Sequence, residues 1–236
     1  MQALKDFLLC CGERGRTDKM LDQFQHYMEL TLKWNKKVNL TSITNEEEFI
    51  TKHFIDSLSI VDDYEVEDAE TVIDVGTGGG YPGVPLAIYF PDKKITLIDS
   101  VDKKLKIVGT ICEEIGLKNI RTVHGRAEDL AHKKEFRETF DLCVSRAVAN
   151  MATLAEYCLP FVAVEGTFIA YKGKDADKEA AAAESAITIL GGSLSNIATV
   201  DLGAGAEEHS LVYIDKEEKT PKAYPRKAGT PSKSPL

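Results

Sequence analysis

The stretch TVIDVGTGGGYPG, Thr71 to Gly83, places an acid, Asp74, two residues before Gly76, with Gly78, Gly79 and Gly80 following and then Tyr81 and Pro82. Glycines in the first strand-to-helix turn of a doubly wound sheet let a ligand approach the backbone closely. Gly76, Gly78 and Gly80 are spaced G-x-G-x-G, whereas the NAD fingerprint is G-x-G-x-x-G, and position 81 is Tyr. Pro82 removes a backbone donor where the next helix begins, which suits a pyrophosphate poorly. A cofactor without phosphate fits better. The Asp74 carboxylate would attract the ammonium group of a methionine moiety, directly or through water, and would repel a pyrophosphate. Asp99 ends the second strand, 19 residues beyond Gly80, where it can take both hydroxyls of a ribose. Ala127 and Glu128 follow the third strand, the place for an edge-on contact to adenine. Arg146 and Lys172 close the fourth and fifth strands, so both cations face the same crevice. These positions together imply S-adenosyl-L-methionine.

The elements that must position these residues are legible as a change of period. Residues 1–70 carry helical signals: Thr17 is a candidate cap for a helix with Leu21, Phe24, Met28 and Leu32 on one face, and NEEEFITKHFIDSLSIV gives a second apolar run. From Thr71, short β-branched runs (TVIDV, KITLID, IRTVH, FDLCVSRAV, GTFIAYKG) alternate with helix-like stretches, which predicts a parallel sheet. An alanine-rich helix, KDADKEAAAAESAITILG, precedes SLSNIATVDL and HSLVYIDK, two strands joined by a glycine-containing loop into a closing hairpin. The expected organisation is a helical lobe over 1–70, an α/β domain over 71–215 with an antiparallel edge, and a Pro-rich tail over 216–236.

The chain has 236 residues, 29 Lys and Arg against 38 Asp and Glu, and a net charge of −9, which argues against indiscriminate nucleic-acid binding. The tail departs from that balance, with Lys216, Lys219, Lys222, Arg226, Lys227 and Lys233 against Glu217 and Glu218. Its prolines predict an extended segment without regular helix. No apolar run is long enough to span a membrane. The five cysteines lack C-x-x-C spacing and sit mostly in apolar runs, which points to a cytoplasmic protein with no metal site and to Cys10 and Cys11 as helix-packing thiols.

VIDVGTGGGYPGVPLAI, ITLIDSVDKK, HGRAED, FDLCVSRAVA, YKG and the tail TPKAYPRKAGTPSKSPL, with upstream WNKKVNLTSI and HFIDSLSI, resemble the bacterial 16S ribosomal RNA guanine-N7 methyltransferase family, also called glucose-inhibited division protein B. The resemblance runs from about Trp34 to the C-terminus. It implies a class I, Rossmann-like methyltransferase fold, S-adenosylmethionine as donor, and a guanine in the decoding-region loop of small-subunit rRNA, naked or in the subunit, as acceptor. Carried over by position, the cofactor contacts would be Gly76, Gly78, Tyr81, Asp99, Ala127, Glu128 and Arg146. Position 81 is often another apolar residue in relatives, so the Tyr81 hydroxyl needs a partner.

Guanine N7 has an exposed lone pair at neutral pH and can attack a sulfonium methyl without losing a proton, so no general base is expected. There is no N-P-P-Y-type motif for exocyclic amines and no Pro-Cys pair for pyrimidine C6, and Cys143 reads as core. Arg146 and Lys172 are the candidates for positioning the acceptor. Lys103, Lys104, Lys106, Arg126, Lys172, Arg226, Lys227 and Lys233 are candidate RNA contacts. His53 and Asn39 read as packing and loop residues. An NAD-dependent oxidoreductase is disfavoured by the glycine register, and a noncatalytic RNA or ribosome-assembly factor by the intact Asp74, Gly76, Gly78 and Asp99 set.

Overall fold

In a computed structural model, which describes residues 1–13, 15–202 and 209–236, one seven-stranded sheet carries the chain. Its strands are β1 (Thr71–Val75), β2 (Lys94–Asp99), β3 (Ile120–His124), β4 (Phe140–Arg146), β5 (Val162–Gly173), β6 (Gly192–Val200) and β7 (His209–Lys216), in the order β3-β2-β1-β4-β5-β7-β6. The first five pair in parallel, and β7 lies antiparallel to both β5 and β6. The hairpin expected from the sequence is present; its joining loop, residues 203–208, lies outside the described residues.

Alternation along β1 divides the core. Val72 packs with the face that holds the helical lobe, while Ile73 and Val75 pack on the other. On the first face lie α1 (Gln2–Cys10), α2 (Thr17–Asn35), α3 (Glu46–Phe49), α4 (Tyr64–Asp68), α5 (Gly83–Tyr89) and α6 (Asp102–Glu114). The second face takes α7 (Ala127–Leu130), α8 (Met151–Cys158) and α9 (Ala176–Ile189), and α10 (Thr230–Lys233) lies in the tail. In α9, Ala180, Ala183, Ala186 and Ile187 are buried, so small side chains at helical spacing seat the helix on the sheet.

The lobe and the sheet share a core: the Phe24 and Phe54 rings meet tilted at 4.8 Å, Phe49 meets Phe54 at 5.3 Å, and Phe49 meets Tyr81 of the glycine turn at 6.0 Å. Thr17 is the first helical residue of α2 and not its cap. Arg16 holds the cap position, and the Thr17 hydroxyl donates back to the Glu13 carbonyl instead. Beyond α3, capped by Asn45 through Glu48 N at 3.0 Å, the chain widens into a π-helical turn, Ile50–Ile55. His53 and Phe54 in this turn and Asp56, Ser57 and Leu58 just after it are buried, a run that one stripe of an α-helix cannot supply.

Candidate active site

Parallel strands leave their carboxyl ends on one edge, and β1 and β4 are neighbours at the point where strand order reverses. Two chambers open there, of about 750 and 300 Å³, and share Gly76 and Asp99 as their common wall. The larger is lined by Gly78, Tyr81, Lys104, Arg146, Lys172 and residues of the lobe; the smaller by Gly125, Arg126, Ala127, Glu128, Val148 and Tyr157.

The glycines of the turn do different work. Gly76 and Gly78 have φ of +75° and +57° and line the chambers. Gly80, expected to face the cofactor, does not line either: it is buried with φ +95°, and a Cβ there would lie 2.2 Å from the Tyr27 hydroxyl. That hydroxyl donates to Gly79 O at 2.6 Å, so α2 of the lobe props the turn from beneath.

Asp74 is also beneath the turn, fully buried, and lines neither chamber. Its Oδ2 accepts from Thr77 Oγ1 at 2.6 Å and from Gly83 N, the first amide of α5, at 2.9 Å, while Oδ1 has no partner. The expected contact to an ammonium group is thereby replaced by a fastening role for the loop. Burial pushes the Asp74 carboxyl up to about 6, and its two hydrogen bonds offset this only in part. With the folded value above the ordinary 3.8, the native state binds the extra proton, so this group's contribution to stability is present below about pH 4 and is lost as pH rises through 6. The stability of Asp74→Asn relative to the parent should therefore rise between pH 4 and pH 7 in urea unfolding; an equal difference at both pH values would show that Asp74 does not titrate in that window.

Asp99, half-buried, accepts from Gly78 N at 2.9 Å with Oδ2 and from Val101 N at 2.8 Å with Oδ1, which fixes it between the chambers. Arg146 closes β4 as expected, and its partners come from the helical lobe. Its NH1 donates to Asp56 Oδ2 at 2.7 Å and Lys52 O at 2.8 Å, and NH2 to His53 Nδ1 at 3.1 Å. A guanidinium can only donate, so His53 Nδ1 is the acceptor and Nε2 carries the proton to Thr41 Oγ1, 2.7 Å away. Burial and then Arg146 lower the His53 imidazole to about 3, so it is neutral. Burial raises the Asp56 carboxyl, but its His209 hydrogen bond and Arg146 outweigh that and hold it below the ordinary value. Tyr81 lies parallel to His53 at 4.1 Å, with Arg146 5.4 Å from its ring, and its buried hydroxyl has no hydrogen-bond partner among the described residues. Ala147, next in the chamber wall, has φ +57°, a conformation rare outside glycine.

Lys172, one residue before the end of β5, donates to Ala149 O at 3.0 Å and pairs with Glu179 at 2.6 Å. Lys104 lines the larger chamber and Arg126 the smaller, and neither has a hydrogen-bond or ion-pair partner among the described residues. Lys103 is exposed and Lys106 pairs with Asp102 at 2.6 Å.

The tail departs most from its sequence reading. Arg226 is no exposed cation: Nε and NH2 grip both oxygens of fully buried Glu156 at 2.6–3.1 Å, and Arg226 N adds a bond at 2.7 Å. Further along, Gly229 N donates to Glu128 Oε1 at 2.9 Å, and Thr153 Oγ1 to Pro231 O at 3.1 Å. The Glu128 carboxylate, expected at an adenine, is thus held by the tail, which straps α7 to α8. Lys216 is 1 % exposed, donating to Leu159 O and Leu190 O, and burial lowers it to about 8. One turn of helix, α10, does form despite the prolines, with Pro231 in its first turn. Lys227 and Lys233 remain exposed.

Cys143 is core, as expected, whereas Cys10 is exposed and not a packing thiol. Asn39 is exposed. Sequence reasoning set His53 aside and overlooked Asp56 and His209. An acid three residues after a histidine within the apolar run HFIDSLSI was the available signal; nothing local pointed to His209. Among the described residues no group of His, Cys, Asp and Glu could hold a metal, and no helix is long and apolar enough to cross a membrane.

The strand order, the glycine turn after β1 and the acid closing β2 define a class I S-adenosylmethionine-dependent methyltransferase. Solved structures agree on the fold: the chain is similar to M. jannaschii TYW2 in complex with AdoMet (TM-score 0.55, 15 % identity, 73 % of this chain and 77 % of that one) and to the methyltransferase SibL (TM-score 0.53, 16 %, 70 % and 55 %). A family model described as GidB, rRNA small subunit methyltransferase G, matches residues 20–210. The chain is 49 % identical over 219 residues to the ribosomal RNA small subunit methyltransferase G of Clostridium novyi, covering 93 % of this chain and 90 % of that protein. To its namesake in Alkaliphilus metalliredigens it is 45 % identical over 228 residues, covering 96 % and 95 %. The chain belongs to the rRNA small subunit methyltransferase G family, a family of S-adenosylmethionine-dependent enzymes that methylate small-subunit ribosomal RNA.

Proposed function

We propose that this protein transfers the methyl group of S-adenosylmethionine to N7 of a guanine in the decoding-region loop of 16S rRNA, in the cytoplasm. The observation that carries the choice of atom is that both candidate bases beside Arg146 are spent. His53 is neutral, with Nδ1 capped by Arg146 and Nε2 donating to Thr41, and Asp56 is bound by Arg146 and His209. An acceptor that must first lose a proton finds no help there, whereas guanine N7 needs none.

The residues fit the cofactor. Bare backbone at Gly76 forms the seam of the two chambers and continues through Gly78 into the larger one, and a Cβ at Gly76 would lie 2.5 Å from Val148 Cγ2. When bound, the cofactor supplies an electrophilic methyl on a sulfonium. Gly76, Gly78 and Tyr81 would hold its methionine end, Asp99 the ribose, and the Ala127–Glu128 wall the adenine. Arg146 has five donors, of which Asp56, Lys52 and His53 take three, leaving two for the guanine carbonyl or a phosphate. Lys172 is tethered beside it with one donor left. Alignment of acceptor, methyl and sulfur then carries the rate, an effect worth roughly 7–11 kcal/mol in favourable cases.

The test is to incubate the protein with methyl-labelled cofactor and either 16S rRNA or intact small subunits from cells lacking it, then map the label. Label at N7 of a guanine in that loop is expected; label on another atom or base overturns the reading. Asp99→Ala should weaken cofactor binding by about 1.5–3 kcal/mol, the worth of hydrogen bonds to a charged group. RNA affinity should hardly change. Equal losses for both ligands would show Asp99 to be structural only.

A further inference from the structure

We propose that the free edge of the sheet, strand β3 with the turns flanking its amino end, is a second RNA surface that holds phosphate backbone leading away from the crevice. The proposal rests on an RNA substrate, as above, and adds where the rest of that RNA lies.

β3 ends the sheet, with β2 its single neighbour among the described residues. From Leu117 to Arg126 the sequence LKNIRTVHGR has no acid, and Lys118, Arg121, His124 and Arg126 are exposed. Arg126 lines the smaller active-site chamber, while Lys118 and Arg121 line a separate cavity of about 450 Å³ at the amino ends of the strands, together with Lys94. The five residues of β3 lie between, about 13 Å from first to last at the usual rise. Glu135 is the acid on that cavity's wall, and next to it in the chain stand exposed Lys133 and Lys134.

These cations are unspent. Lys94, Lys118, Arg126, Lys133 and Lys134 have no side-chain hydrogen bond or ion pair among the described residues, so their ammonium and guanidinium groups are available to a ligand. Arg121 is braced through Nε to Thr96 Oγ1 at 2.9 Å and lies 5.5 Å from the Phe136 ring, so its terminal nitrogens are unused. Charged residues on an edge strand also discourage strand pairing, but either sign would serve that end. A predominantly cationic stripe on a chain of net charge −9 suits a partner of opposite sign. Continuity with the crevice through Arg126 favours RNA over an acidic protein. Phe136 and Phe140 are buried, so the cavity offers no exposed ring for base stacking; the contact is to phosphate, which positions without reading sequence.

The test is the triple variant Lys118→Ala, Lys133→Ala, Lys134→Ala, none of which touches the crevice. Affinities are measured for S-adenosylmethionine, for full-length 16S rRNA at several salt concentrations, for a short hairpin carrying the target loop alone, and for assembled small subunits. Cofactor affinity, melting temperature and hairpin affinity should match the parent. Affinity for the long RNA should fall about tenfold or more, with a log–log salt slope shallower by about 2 to 3, since each phosphate contact contributes about 0.7–0.9. An unchanged slope for the long RNA overturns the proposal. So does an equal loss for the hairpin, which would mean a general field effect, and so does a loss confined to assembled subunits, which would assign the stripe to a protein. Because the readout is binding, it stands even if the methylated atom proves to be another.

Discussion

Arg226→Ala is expected to lower stability by about 3–5 kcal/mol, the usual consequence of removing one partner of a buried ion pair and leaving the other charge uncompensated. Glu156 is fully buried in α8, and Arg226 supplies all four bonds that satisfy its carboxylate, three from the guanidinium, which alanine removes, and one from the backbone N, which it keeps. For a chain of this size the melting temperature should drop by roughly 6–20 °C. Arg226→Lys should recover little, because an ammonium cannot reproduce the planar fork across both oxygens. Cofactor affinity should fall as well, since the strap that Arg226 anchors also holds Glu128, in the wall of the smaller chamber, through Gly229 N. The slope of RNA affinity against salt should stay at the parent value. A melting temperature within a degree or two of the parent, with a shallower slope, would return Arg226 to the role of a phosphate contact.

That reversal shows what local sequence can and cannot carry. Strand ends follow from a two-residue period and from glycine turns, so the sequence alone puts Asp99, Ala127, Arg146 and Lys172 at one sheet edge. Their partners were not, because pairing is a long-range property: Asp56 lies 90 residues before Arg146, and Glu156 lies 70 before Arg226. Residue type alone does not separate a solvated lysine from Lys216, whose ammonium sits among carbonyls at the end of β7. Nor does it separate Gly76 from Gly80. One is bare because the crevice wall passes over it, the other because Tyr27 of the lobe presses against it. The lobe was legible as helices, but its purpose was not. It supplies His53 and Asp56 to the guanidinium and Tyr27 to the turn, and so completes a site that the sheet begins.

Gly76→Val is expected to abolish measurable S-adenosylmethionine binding while the fold persists. Two physical effects act in the same direction. The backbone at Gly76 has φ +75°, a region that a β-branched residue avoids at a cost on the order of 1–3 kcal/mol, so the turn would shift towards negative φ. That shift would draw Gly76 N and Thr77 N away from Ile98 O, their acceptor at 2.9 and 3.1 Å, and disturb Gly78 N on Asp99. If the turn held instead, the new Cβ would lie 2.5 Å from Val148 Cγ2, and the branched methyl groups would enter the seam where the two chambers meet. Either outcome closes the place where an elongated ligand must cross from one chamber to the other. Gly80→Val offers the contrast: its Cβ would strike the Tyr27 hydroxyl at 2.2 Å, away from the chambers, so it should lower the melting temperature more than Gly76→Val does. Calorimetric titration with S-adenosylmethionine and thermal unfolding of both variants separate the two roles. Parent-like cofactor affinity in Gly76→Val would show that the ligand does not pass over the turn.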